Sequence, residues 1–225
     1  MFRKVLLSSA ALALVATAAN AHPNVMLSPD KRFAAVMPGK NQIQLPPSMM
    51  DRKKTAWLFS TFATNPEAVY YCCYGRNVNG PSNSNFGGAA FGIAEQFIPK
   101  KSASVTTLAA AVGYTSGDKS VILTLYADNG SNSPGTALAS ATGTSSTVFG
   151  NCCGVVTVSI PSTSLTANTP YWVGITATGN SWETATYQDA DQVDNATYVS
   201  GTSNGGTSWS AGFQQTTQNP AIGVK

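Results

Sequence analysis

The side chains best suited to chemistry crowd into one stretch, NSWETATYQDADQVDNA at 180–196, where Glu183, Asp189, Asp191 and Asp194 lie close together with no cation among them. Hard oxygen ligands at this density suit calcium, so Asp189, Asp191 and Asp194, with Asn195 beside them, are the candidate metal ligands; their spacing departs from the twelve-residue EF-hand loop. Two carboxyls across a cleft would instead serve glycoside hydrolysis, with Glu183 the residue to test. No spacing in the segment defines such a cleft, and a non-catalytic protein is the expectation. The same region holds Trp182, Tyr187, Tyr198 and Trp209 among the amides Asn180, Gln188 and Asn204. Aromatic faces stack on the apolar face of a pyranose while amides satisfy its hydroxyls, so these four are the candidate glycan-binding residues. The competing reading is that Trp172 and Trp209 belong to a core.

Cysteine is present as two adjacent pairs, Cys72-Cys73 and Cys152-Cys153. In an exported chain four cysteines make two disulfides, with three connectivities possible. Crossing links between the pairs would close a loop of about 80 residues and stabilise by roughly 4 kcal/mol on the chain-entropy model. Neighbouring strand residues point to opposite faces, so two such links require a bulge or a loop. Links within a pair would join Cα atoms about 3.8 Å apart, closer than disulfide geometry prefers. A four-cysteine zinc site is disfavoured by the adjacent spacing, and redox catalysis by the absence of C-x-x-C.

His22 is the one histidine. An N-terminal histidine chelates copper in enzymes that also supply a second histidine, and this chain has none. Ser-His-Asp and Cys-His machinery lack their base for the same reason.

These residues need an address and a scaffold. Residues 1–21 have the three parts of an export signal: Arg3 and Lys4, an apolar run over 5–18, and Ala19-Asn20-Ala21 as the cleavage site. The apolar run is too short to span a bilayer and no second one follows, so a secreted protein, periplasmic or extracellular, without a transmembrane segment is expected. The carboxyl end shows no hydrophobic tail, and any attachment to the cell is expected to be non-covalent. Residues 22–56 carry Pro23, Pro29, Pro38, Pro46 and Pro47 without periodicity, and read as a loosely ordered arm. This arm is basic, with Lys31, Arg32, Lys40, Arg52, Lys53 and Lys54 against Asp30 and Asp51, whereas no cation stands between Lys119 and Lys225. The arm reads either as a solvated tail or as a grip on an anionic partner. Nucleic acid is excluded by the lack of a cationic stripe with interleaved aromatics.

Without the leader the chain has 204 residues (225 minus 21), ample for one domain and short for two, and the domain is placed at 57–225. Only 10% of the chain is charged, and Gly, Ser, Thr and Asn abound. Residues 121–127 alternate, with Val121, Leu123, Leu125 and Ala127 on one face, and end on the turn cluster DNGSNSPG. Similar alternation sets Leu108, Ala110, Val112 and Tyr114 on one face; Val156, Val158 and Ile160 on another; and Tyr171, Val173, Ile175 and Ala177 on a third. Residues 75–88 read as a loop, and 90–98, 184–188, 197–200, 208–213 and 221–224 as further strands. Short strands at even spacing without amphipathic helices predict an all-β antiparallel β-sandwich of jelly-roll type.

Ala94-x-Gln96-Phe97, then VILTLYADNGSNSPGTAL, FGNCCGVVTVSI, LTANTPYWVGI and GGTSWSAG, together resemble the bacterial secreted proteins called choice-of-anchor R domain proteins. The resemblance covers roughly 57–225 and rests on turn and core residues. It implies an extracellular β-sandwich displayed by varied anchors, and it brings no catalytic residues to carry over. The expectation is therefore an exported β-sandwich acting at the cell surface or in the extracellular matrix, binding a glycan or a surface protein. A secreted carbohydrate-active enzyme using carboxylates of 183–194 and a purely structural surface component are the alternatives.

Overall fold

The computed structural model describes residues 25–27, 30–36, 57–62, 71–150, 154–187, 197–215 and 219–225. The leader 1–21, His22, Cys152, Cys153 and the calcium candidates Asp189, Asp191 and Asp194 lie outside the described residues, as do the side chains of Cys72, Cys73 and Tyr187.

Two antiparallel sheets pack face to face. The first runs β1 (Val25–Leu27), β2 (Phe33–Val36), β4 (Tyr71–Asn79), β11 (Trp182–Tyr187), β6 (Ala103–Ser116), β14 (Ile222–Val224) and β3 (Phe59–Ser60). A further strand, β9 (Val155–Leu165), lies along the other edge of β6. The second sheet runs β13 (Phe213–Gln215), β12 (Thr197–Thr202), β5 (Gly92–Phe97), β10 (Tyr171–Ala177), β7 (Ser120–Asp128) and β8 (Pro134–Thr144).

The alternation in the sequence becomes the core. Leu108, Ala110 and Val112 of β6 and Val156, Val158 and Ile160 of β9 face Val121, Leu123 and Leu125 of β7 and Val173 and Ile175 of β10, in one continuous apolar cluster. Each large aliphatic side chain removed from water there contributes about 1.5–3 kcal/mol. Strand β10 is buried along its whole length, because a second, smaller cluster of Ala94, Tyr126 and Trp172 lies on the opposite face of its sheet.

Three local readings differ. Residues 75–79, read as the start of a loop, are strand: a Cβ on Gly75 would stand 2.2 Å from the Ala185 carbonyl oxygen, so this glycine admits a neighbouring strand instead of turning the chain. Strand β8 begins inside the expected turn and is mostly exposed, an edge strand with little apolar pattern to betray it. Within the proline-containing arm, β1 and β2 form a hairpin whose second strand pairs with β4, Phe33 lying opposite Arg76.

The margins of the sandwich are unlike. At one, β8 and β9 meet so closely that a Cβ on Gly143 would lie 2.5 Å from Val156 Cγ1 and 2.9 Å from Val158 Cγ1. At the other, Arg76 of β4 reaches across to β12 and β13: its guanidinium carbon stands 5.3 Å from the centre of the Phe213 ring, and its Nη1 would lie 3.3 Å from a Cβ on Gly201.

Candidate functional site

A cleft of about 500 Å³ opens at this second margin, and Arg32, Arg76, Phe91, Thr202, Trp209 and Phe213 are among its lining residues. One wall is residues 203–212, which the sequence read in part as a strand and which fold as an irregular loop across the outer face of the second sheet. Polar side chains fix it. Asn204 Oδ1 accepts hydrogen bonds from the Thr202 hydroxyl (2.8 Å) and the Ser208 amide (2.9 Å), and the Asn204 side-chain amide donates to Ser208 Oγ (2.8 Å). The Ser210 carbonyl accepts from the hydroxyls of Ser200 (2.6 Å) and Ser133 (2.9 Å), while the Ser210 amide donates to the Gly201 carbonyl. Short side chains that bond their own backbone replace ladder pairing here, which is why GGTSWSAG is a loop despite its tryptophan.

Clamped on both sides, Trp209 packs edge-on to Tyr126 with ring centres 5.6 Å apart. Gly174 supplies the space beneath it: a Cβ there would stand 2.7 Å from Tyr126 Cε2 and 3.2 Å from Trp209 Cζ2. Burial pushes the Tyr126 phenol above its ordinary pKa. The indole Nε1 of Trp209 is buried without a hydrogen bond of proper geometry, beside that phenol. Tyr198 packs against the same outer cluster. Below it, Asp128 of the DNG turn accepts from Trp172 Nε1 (2.7 Å), Gln96 Nε2 (3.3 Å) and the Gly130 amide (2.7 Å). Its carboxylate therefore ties three elements under the loop and serves structure.

Trp182 stands on β11 and is not among the residues that line the cleft. Its ring meets Phe86 edge-on at 5.1 Å, and Phe86 in turn meets Phe91 at 5.8 Å. Its Nε1 donates to Asn77 Oδ1 (3.0 Å). Asn77 then holds the arm, its side-chain amide donating to the Lys31 carbonyl (2.6 Å) and its backbone amide to the Arg32 carbonyl (3.0 Å). Trp182 thus acts through Asn77 on the hairpin that carries Arg32 to the cleft. The four aromatic candidates therefore do not make a single platform: Trp209 lines the cleft, Tyr198 supports the loop, Trp182 braces the arm, and the side chain of Tyr187 lies outside the described residues.

Glu183 has a different place from the one its neighbours in sequence suggest. It stands opposite Val78 and shares a strand face with Ala185, both core residues, and it is fully buried. Neither carboxyl oxygen has a hydrogen-bond partner of proper geometry. Burial drives its pKa up to about 8, against partial relief from the Ser145 hydroxyl and the Lys119 charge. At neutral pH it is protonated, and from this position it does not face the cleft. Among the described residues no group of three or more His, Cys, Asp or Glu is placed to hold a metal ion, and no helix is long and apolar enough to cross a membrane.

Sequence reasoning missed Arg32, Arg76, Phe91 and Phe213 as cleft residues. One signal was available for Arg76, a lone cation in the strand segment YCCYGRNVNG. Set against family models, curated proteins and solved structures, the chain matches none.

Proposed function

We propose that this protein is an exported, non-catalytic β-sandwich that binds carbohydrate at the cell surface or in the extracellular matrix, with the Trp209 cleft as its site. The observation that carries the reading is the cleft itself. An indole held rigid by a hydrogen-bonded loop stands beside Phe91, Phe213 and the side chains of Thr202, Ser203 and Ser208, the mixture of flat apolar surface and polar donors that a pyranose needs. Holding the loop in place before binding reduces the entropy lost when the ligand arrives. The export signal at 1–21 and the resemblance to choice-of-anchor R domains support the location, where the cysteine pairs would be oxidised.

A glycan array probed with the full mature chain and with Trp209→Ala tests this reading. The expected result is saturable binding to a set of saccharides, lost in the variant while its thermal unfolding stays cooperative. No hit on the array, or equal binding by the variant, overturns it.

A further inference from the structure

Resting on that reading, we infer that the saccharide is anionic: a polymer or oligomer of hexuronate, whose ring stacks on Trp209 while its carboxylate meets the guanidinium groups of Arg32 and Arg76. Both arginines line the cleft, and no Asp or Glu is among the described residues that do. The charge is recruited from separate parts of the chain. Arg76 stands on β4 with its guanidinium over the Phe213 ring. Arg32 arrives on the hairpin of the arm, held by the Asn77 contacts to the carbonyls of Lys31 and Arg32. Lys31 is tied alongside through its ammonium, which donates to the Asn85 carbonyl (2.9 Å).

These two arginines stand on a chain that has no cation between Lys119 and Lys225. The arm supplies one of the two arginines that line the cleft, and the docking of 30–36 there gives this part of the basic segment a use that a solvated tail lacks. Arginine presents a planar fork of donors that matches a carboxylate in bidentate fashion. Asp30 lies 3.6 Å from Arg32 Nε with both side chains well exposed. An ion pair of that kind is weak and engages one edge of the guanidinium, leaving other donors directed elsewhere.

Titration calorimetry on the full mature chain tests the assignment, with three probes: tetragalacturonate, the same oligosaccharide fully methyl-esterified, and a sulfated heparin tetrasaccharide. The acid is expected to bind about tenfold more tightly than its ester, and its affinity to fall as salt rises from 50 to 500 mM. Arg32→Gln, on an exposed site that carries little of the fold, should lower affinity for the acid about fivefold and leave the ester unchanged. Arg76→Gln should do the same, with its thermal unfolding recorded to separate binding from folding. Equal binding of acid and ester, or an Arg32→Gln variant that binds the acid as well as the parent, overturns the inference while leaving a carbohydrate site in place. Preference for the sulfated tetrasaccharide overturns it as well. Array hits confined to neutral sugars overturn it too, and an array with no hits removes the site along with it.

Discussion

The β8–β9 margin and the β4–β12 margin solve the same problem in opposite ways. At the first the second sheet ends on β8, and at the second only the short strands β2, β1 and β13 lie farther out; each leaves inward-facing side chains to be covered. At β8–β9 the solution is removal of a side chain: Gly143 lets Val156 and Val158 press against the neighbouring strand, and water is excluded by aliphatic contact. At β4–β12 the solution is a long side chain, Arg76, laid against Gly201 and Phe213, with a cleft left beside it. An aliphatic stem with a charged head covers apolar surface and still presents polarity to solvent. A closed margin yields stability alone, whereas a margin closed by a guanidinium also leaves a place for a ligand.

The largest effect tests whether the interior between the two sheets is dry. Glu183 has a folded pKa near 8 against about 4.5 unfolded, so its contribution to stability is complete below pH 4.5 and is lost as pH rises toward 8. At about 1.4 kcal/mol per pH unit, the loss approaches 5 kcal/mol. Denaturant unfolding between pH 4 and pH 9 should show this decline, and Glu183→Gln should flatten it. A profile already flat in the parent would mean that the carboxyl is not held out of water between the sheets.

Next in size, Gly143→Val should cost about 3 kcal/mol by overpacking the sealed margin, read as a lower thermal midpoint, while ligand affinity of the folded fraction is unchanged. Asp128→Ala should cost about 2 kcal/mol, because it strips the acceptor from the fully buried Trp172 indole. The outer cluster lies beneath the Trp209 loop, so this change should also loosen binding. Smallest for stability, Phe213→Ala should cost about 1 kcal/mol through lost contact with Arg76. Its effect should fall mainly on affinity, the reverse of Gly143→Val.

What was legible in the sequence follows from which forces leave a linear trace. The inward faces of β6, β7, β9 and β10 could be read because burial on a pleated strand repeats every second residue, as at Leu108, Ala110 and Val112. Gly75 was misread because a glycine that admits a neighbouring backbone looks the same in sequence as one that turns the chain. Strand β8 was hidden because an edge strand in water needs no apolar rhythm. Tryptophan marked Trp209 as important, yet the loop around it is specified by Asn204, Ser208 and Ser210 through bonds that have no period. Arg32 and Arg76 meet only through the β2–β4 pairing, with Phe33 opposite Arg76, and a register between strands so far apart in the chain leaves no local mark. Glu183 belonged by sequence to an acidic cluster; its strand turned it to the core.

The central claim is that Trp209, and no other tryptophan, meets the ligand. Indole amide resonances in a 15N-labelled sample, assigned by single Trp→Phe changes and followed during titration with tetragalacturonate, report on each tryptophan separately. The account predicts a saturable shift of the Trp209 resonance, a smaller one for Trp182 transmitted through Asn77, and none for Trp172 beneath the loop. A Trp209 resonance that stays in place while the sample binds sugar would contradict it.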